Sequence, residues 1–214
     1  MQTDRLILSV ATDHLPEELG KTGFGSRDQG HIIDRLQASG LWLGPRAILE
    51  ETSAFRQIIP YVVLRVGDQL IHYTRTPAGG EARLHGRISI GLGGHIDFSD
   101  VVRSGEGVDL QATLDAAAVR EVEEEVGAVD CVDRRWIGAL IDNESPVGQV
   151  HLGVVALWTL TSVPTGAIED AIGEVGVQSI KALANQAERL ETWSGLTLDA
   201  LDKLTGLDVA TSVG

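Results

Sequence analysis

Arg120-Glu121-Val122-Glu123-Glu124-Glu125-Val126-Gly127 is the segment whose residue types and spacing could do chemistry. At about 100° per residue, Glu121, Glu124 and Glu125 share one helical stripe, at i, i+3 and i+4. Val119, Val122 and Val126 share another stripe, roughly 140° away. Like charges so spaced cost about a few tenths of a kcal/mol each on an exposed helix. They also fall in the C-terminal half of the helix, where the macrodipole disfavours anions. A hard divalent cation, Mg²⁺ or Mn²⁺, would offset both effects, because such ions prefer carboxylate oxygens. The competing reading is a solvated acidic face, since glutamate is a good helix former.

Upstream, Gly93-Gly94 ends an apolar strand pattern. Two glycines let the backbone bend so that a carbonyl can face a metal or a phosphate can approach closely. Together with the acidic helix they resemble the Nudix hydrolase family, whose signature is G-x5-E-x7-R-E-U-x-E-E-x-G-U, with U aliphatic. Arg120, Glu121, Val122, Glu124, Glu125 and Gly127 fill its second half, and Ala128 takes the last place. The first half departs from the pattern. Counted back from Arg120, the expected Glu falls on Ala112 and the expected Gly on Glu106; counted forward from Gly94, the Glu place falls on Asp100. Gly94 and Arg120 are 26 residues apart where the signature has 14, so 12 extra residues form a lengthened loop. Asp100, Glu106 and Asp109 are the candidates for the partner of Arg120. The insert 101–109 joins the glycine turn to the acidic helix and is expected near the mouth of a cleft, as a lid or specificity element.

Four further segments look similar to a longer bacterial Nudix subgroup of predicted phosphoesterases: Gln57-Ile58-Ile59-Pro60-Tyr61, Leu92-Gly93-Gly94-His95-Ile96, Val150-His151-Leu152-Gly153 and Glu191-Thr192-Trp193-Ser194. The resemblance implies an α/β (α+β) fold, a Nudix-like α/β/α sandwich with a mixed sheet. It implies Mg²⁺ or Mn²⁺ held by Glu121, Glu124, Glu125 and the Gly93 carbonyl, with Glu121 as a further ligand or the base for water and Arg120 orienting the carboxylates. The implied reaction is hydrolysis of a phosphoanhydride in a nucleoside diphosphate linked to another group. The alternative is a ligand-binding or regulatory protein of the same fold with little turnover, which Ala112 and the insert motivate. Nudix enzymes are often dimers, so a homodimer is a further expectation.

Arg75, Arg83, His85 and Arg87 flank the loop before the motif strand and could meet a phosphorylated substrate; Arg75, Arg87 and His95 are the substrate-binding candidates. His151 reads as a core residue of a strand. Glu144, Glu169 and Glu174 are remote carboxylates that could add a ligand or base, and Glu123 should face solvent.

These residues need elements to position them. Residues 1–56 read as an irregular N-terminal extension on a single domain spanning 1–214, with a short helix at 29–39. Ile58 to Val66 and Leu70 to Thr76 form a hairpin around Gly67-Asp68, and Arg87 to Leu92 is the motif strand. The acidic helix runs from Leu110 to Val126 and stops at Gly127; Arg135 to Asp142 and Val150 to Thr161 are strands; and 178–205 is two helices broken near 192–195.

Composition narrows the partners. Of 214 residues, 31 are acidic and 17 basic, a net charge of −14 with no basic cluster, which disfavours a nucleic-acid polymer. The lone Cys131 permits no internal disulfide and fits a reducing, cytoplasmic setting, with Cys131 as a small buried apolar residue. The N-terminus has no apolar signal-like stretch, and the longest apolar runs are far too short to span a bilayer.

Overall fold

The computed structural model describes residues 5–25, 31–77, 84–105, 107–165, 170 and 172–211, with side chains described as far as residue 203. In chain order the elements are β1 (Leu6–Ala11), β2 (Gly23–Gly25), α1 (His31–Ala38), β3 (Leu41–Pro45), α2 (Arg46–Leu49), β4 (Phe55–Val66) and β5 (Gln69–Arg75). There follow β6 (Ile88–Ser89), β7 (Gly91–Leu92), β8 (Arg103–Ser104), β9 (Gly107–Val108), α3 (Leu110–Val126), β10 (Cys131–Ile141), β11 (His151–Leu160), β12 (Ile172–Ser179), α4 (Ile180–Ala184) and α5 (Thr192–Thr211).

One mixed sheet runs in the order β12-β5-β4-β11-β10-β2, with β1, β3, β6 and β7 attached to its sides. Its centre is the parallel pair β4 and β11, in register from Gln57 opposite His151 to Val66 opposite Leu160. A parallel pair needs a crossover, and α3 lies on that connection. Both central strands are nearly continuously apolar because both of their faces are covered. Ile58, Val62 and Leu64 of β4 join Leu110, Leu114, Ala117, Ala118 and Val122 of α3 and Ile32, Ile33 and Leu36 of α1 in one core. Tyr61 and Val63 point the other way, into a second core with Leu183 of α4 and Leu198 and Leu201 of α5. The period-2 alternation of the strands thus builds an α/β/α sandwich of mixed α+β type.

The N-terminal region is more regular than its glycines suggested. β1 pairs antiparallel with β3 and also with β4, and β2 pairs with β10, so residues 6–45 contribute three strands to the main sheet. The run Leu6-Ile7-Leu8-Ser9-Val10 is buried from Ile7 to Val10 and carries this edge. Further differences lie elsewhere. The motif strand is interrupted at Ile90 into β6 and β7, which pair with different neighbours, β5 and β4. Residues 172–179 form strand β12 beside β5, so 178–179 end a strand rather than start a helix, and the last helix begins at Thr192 instead of breaking there. α3 matches its expected bounds; Gly127 ends it at φ 78°, a left-handed conformation that favours glycine.

Candidate active site

The burial of α3 explains how its carboxylates are placed. The side of the helix facing the sheet includes Ala118, Val122, Val126 and also Glu125. Glu125 is only 7% exposed, and its Oε1 accepts the backbone N–H of Gly93 at 3.1 Å. The expectation that all three carboxylates stand well away from the valines therefore needs correcting: Glu125 shares their buried side, because the glycine turn packs there and offers an N–H to a carboxylate.

That close approach requires the glycines. A Cβ on Gly93 would sit 2.0 Å from the carbonyl oxygen of Pro60 on β4, and one on Gly94 would sit 2.5 Å from both carboxylate oxygens of Glu121. Glu121, 12% exposed, lies against this turn one helical turn before Glu125. Burial pushes its carboxyl up from the ordinary carboxylate range, against the pull of Arg120 and with help from Glu124 and Asp100.

Arg120 is the hub. Its Nε and Nη2 donate to the two oxygens of Asp100 at 2.9 and 2.7 Å. Nη1 donates to Glu121 at 2.7 Å and to Glu124 at 3.1 Å, and Nη2 also reaches the His95 carbonyl at 2.9 Å. The bonds to Asp100, with the charges of Glu121 and Asp100, outweigh burial and hold the guanidinium above its ordinary value. Of the three candidate partners the structure selects Asp100, which also accepts the Asp97 backbone N–H at 2.9 Å. Asp109 instead caps α3, accepting the Ala112 N–H at 3.0 Å, and Glu106 lies outside the described residues. Glu124 is 59% exposed and meets the site through Arg120, while Glu123 faces solvent. Among the described residues no three His, Cys, Asp or Glu side chains converge as a ready-made metal cage.

Beside the turn opens a cleft of about 960 Å³ lined by Gly93, Gly94 and His95. Arg75, Arg87, His85 and His151 line it too, so the three substrate-binding candidates meet in one cavity. Arg75 is stacked on the Tyr73 ring, with Cζ 5.3 Å from its centroid, and faces Glu191 at 3.5 Å. Burial pulls Arg75 down, but Tyr73, Glu191 and Glu125 together outweigh it and hold the guanidinium above its ordinary value. Arg87 donates to the Glu188 carbonyl. His151 is not an inert core residue: its Nδ1 bonds the Val147 carbonyl at 2.8 Å, and its Nε2 faces His95 Nε2 at 3.2 Å. Because a carbonyl can only accept, the Nδ1 of His151 carries the proton, so its neutral ring accepts from His95.

Burial, together with the positive Arg46 and Arg5 and the repulsion from His151 once that ring is also protonated, lowers His95 to about 3. The folded protein therefore excludes a proton that the unfolded chain takes up below pH 6.5, so this contribution to stability is complete above that value and is lost as pH falls toward about 3. Relative to His95→Gln, the wild type should lose stability between ~pH 7.5 and ~pH 4.5 in paired urea titrations. A difference independent of pH would contradict this.

Sequence reasoning missed several lining residues. Arg46 and Glu50 come from the N-terminal region, Tyr61 from β4, Asp142 from the loop after β10, and Glu191 and Trp193 from the entry into α5. Asp142, buried, organises the loop after β10 by accepting the N–H groups of Glu144 and Ser145 at 2.9 and 3.2 Å. The exposed Glu144 does not line the cleft; nor does Glu174, exposed on β12, and Glu169 and Arg83 lie outside the described residues. The available signals were the Gln57-Ile58-Ile59-Pro60-Tyr61 and Glu191-Thr192-Trp193-Ser194 blocks. The insert 101–109 is also not where it was expected. None of its described residues lines the cleft; it forms the β8–β9 hairpin at the start of α3, held by Val102 N–H to Thr113 Oγ1 at 3.0 Å and by Gln37 to the Val108 carbonyl at 2.7 Å. Cys131 is half-buried and packs on the first core.

Sheet, glycine turn and Arg120-centred helix define a class, and comparison with known proteins agrees. The chain belongs to the Nudix hydrolase family. It is 34% identical over 209 residues to Protein YmaB of Bacillus subtilis strain 168, covering 93% of this chain and 98% of that protein. The crystal structure of Tm1382, described as a candidate Nudix hydrolase, matches with a TM-score of 0.76 and 25% identity over 93% of this chain and 99% of that one. The NUDIX domain of Shewanella oneidensis NrtR, solved with ADP ribose, shares the fold at TM-score 0.50 and 14% identity, over 70% of this chain and 88% of that one. No protein-family model matches the chain. No helix among the described residues is long and apolar enough to cross a membrane.

Proposed function

We propose that this protein hydrolyses a phosphoanhydride bond in a nucleoside diphosphate linked to another group, with Mg²⁺ or Mn²⁺ bound at the start of the cleft. The observation that carries this reading is the pair Glu121 and Glu125, one turn apart on α3, both against the Gly93-Gly94 turn that opens into the cleft. These residues fit a hard cation. They offer carboxylate oxygens and the Gly93 carbonyl, with Glu124 close by on Arg120. Mg²⁺ is usually held by one or two carboxylates, with substrate phosphate and water filling the rest of the shell. A protein cage of three side chains is therefore not required.

When bound, the cation would neutralise the diphosphate oxygens and lower the pKa of a water. The chain does the rest. Arg120 holds Glu121 and Glu124 from one side and Asp100 and the His95 carbonyl from the other, fixing the helix on the turn. Glu121 is a ligand or the group that takes the proton of the attacking water. Arg75, Arg87 and His95 meet the phosphates, and Trp193 and Leu84 offer apolar surface to the rest of the substrate. Water attacks phosphorus, the anhydride P–O bond breaks, and two phosphate-bearing products leave. Ala112 does not weaken this reading, because Asp100 supplies the carboxylate missing there. The corresponding expectations for assembly and location are a homodimer and the cytoplasm.

A panel of nucleotide sugars, dinucleotides and (d)NTPs with Mg²⁺ or Mn²⁺, with products identified by mass spectrometry, tests the proposal. Turnover of a diphosphate-linked compound supports it; tight binding without turnover would favour the ligand-binding alternative. Glu123→Gln serves as an internal control. Its side chain projects roughly 160° from that of Glu125, so activity should stay within a few-fold of wild type. A loss as large as that of Glu124→Gln would place the reaction on a different face of α3.

A further inference from the structure

Glu191 is a buried carboxylate in the wall of the cleft, 6% exposed, immediately before α5. Its Oε1 has three hydroxyls within hydrogen-bond distance: Ser89 at 2.6 Å, Tyr61 at 3.1 Å and Ser194 at 3.1 Å. Ser194 in turn accepts the Ile90 backbone N–H at 3.0 Å and stands 2.9 Å from the Tyr61 hydroxyl. One oxygen is thereby fixed to β4, to the β6–β7 junction and to α5 at once.

The other oxygen faces Arg75. Oε2 lies 3.5 Å from Arg75 Nε, within ion-pair range but longer than a hydrogen bond. The contact is made at Nε, on the stem side of the guanidinium. Arg75 lines the same cavity as Gly93, Gly94 and His95.

A merely structural role does not explain the charge. A neutral amide at this position would accept from the same hydroxyls without the penalty of burying a carboxylate. Replacing buried ion pairs by neutral groups is often harmless to stability. The charge has a use only if Arg75 must be held in place. A long, flexible guanidinium loses rotamer freedom when it binds an anion, and fixing it beforehand reduces that loss.

We propose that Glu191 is a positioning residue: clamped by Ser89, Tyr61 and Ser194, its carboxylate holds Arg75 in the cleft, ready for an anionic phosphate of the substrate. This rests on the hydrolase reading above for its substrate, but the arm itself should bind diphosphate without turnover.

The test compares Arg75→Ala, Glu191→Gln, Glu191→Asp and the double variant Arg75→Ala/Glu191→Gln. Glu191→Gln should raise KM for the best panel substrate ~10-fold, the size expected for a charge-assisted contact, with kcat within ~3-fold of wild type. Glu191→Asp keeps the charge and should bring KM back toward wild type. The double variant should be no worse than Arg75→Ala, because both changes disable one arm. Calorimetric binding of inorganic pyrophosphate to chelator-treated protein should weaken in parallel, again without additivity. Additive losses, or a fall in Tm with KM and pyrophosphate affinity unchanged, would overturn the proposal. If no panel compound is turned over, the hydrolase reading fails, and the pyrophosphate measurement still decides the role of Glu191: non-additive weakening upholds it and unchanged affinity refutes it.

Discussion

Glu125→Gln is expected to lower kcat by ~10²-fold or more at saturating Mg²⁺ or Mn²⁺, the range seen when a strong preorganised electrostatic contact is removed. The exchange keeps the side chain's size and leaves an oxygen to accept the Gly93 N–H, now 3.1 Å from Glu125 Oε1. What it removes is the negative charge beside the glycine turn. Val122, Val126 and the rest of the core-facing side of α3 are untouched, so thermal unfolding should stay close to wild type. Glu124→Gln should fall in the same range, since it removes a second anion from the helix. The decisive measurement is kcat across a metal titration. Wild-type turnover in either variant at saturating metal would refute the assignment of these carboxylates.

Arg120→Ala should be as severe for activity and, unlike the glutamine variants, severe for folding. Arg120 is the counter-charge for Asp100 and Glu121, whose side chains are 7% and 12% exposed. Removing one partner from a buried ionic cluster typically costs ~3 kcal/mol or more, because the remaining charges are left uncompensated. For a chain of this size that corresponds to a fall in Tm of roughly 6–12 °C. The His95 carbonyl and Glu124 lose the same donor, so the turn and the helix lose their common tie. Misplacement of a catalytic group by about 1 Å can cost ~10²-fold in rate, so kcat/KM should fall by at least that factor even where the variant is folded. Arg120→Lys should recover part of the stability but little of the activity. An ammonium is a point charge and cannot span two oxygens of Asp100 while also reaching Glu121 and the His95 carbonyl. Calorimetry with kinetics on the same preparations separates the two effects. An Arg120→Ala protein with unchanged Tm would show that the network carries no stability.

The sequence by itself determined the helix and its chemistry. Leu110 to Val126 is a continuous helix-forming run bounded by a glycine that can take a left-handed conformation, and its acidic spacing is local information. The nearly continuous apolar runs 58–66 and 152–158 likewise determined two buried strands, since a strand covered on both faces needs apolar residues at successive positions. Only the tertiary structure decided which carboxylate Arg120 would meet. Asp100 stands 20 residues upstream, behind an insert that no spacing rule can fold, and a capping turn brings it to the helix. Tertiary structure also decided that Glu125 would be buried while Glu124 is exposed, because helical phase gives angles between side chains but not which flank a glycine turn from another strand will cover. It placed the insert on α1 and α3 instead of at the cleft. It built the cleft itself from Arg46, Arg75, His151 and Glu191, residues as far apart as the second helix and the entry into the last one. Such groups share no local pattern. They meet because β4 and β11 run side by side through the centre of the sheet and α5 closes one face, and long-range packing of that kind leaves little trace in the spacing of residues along the chain.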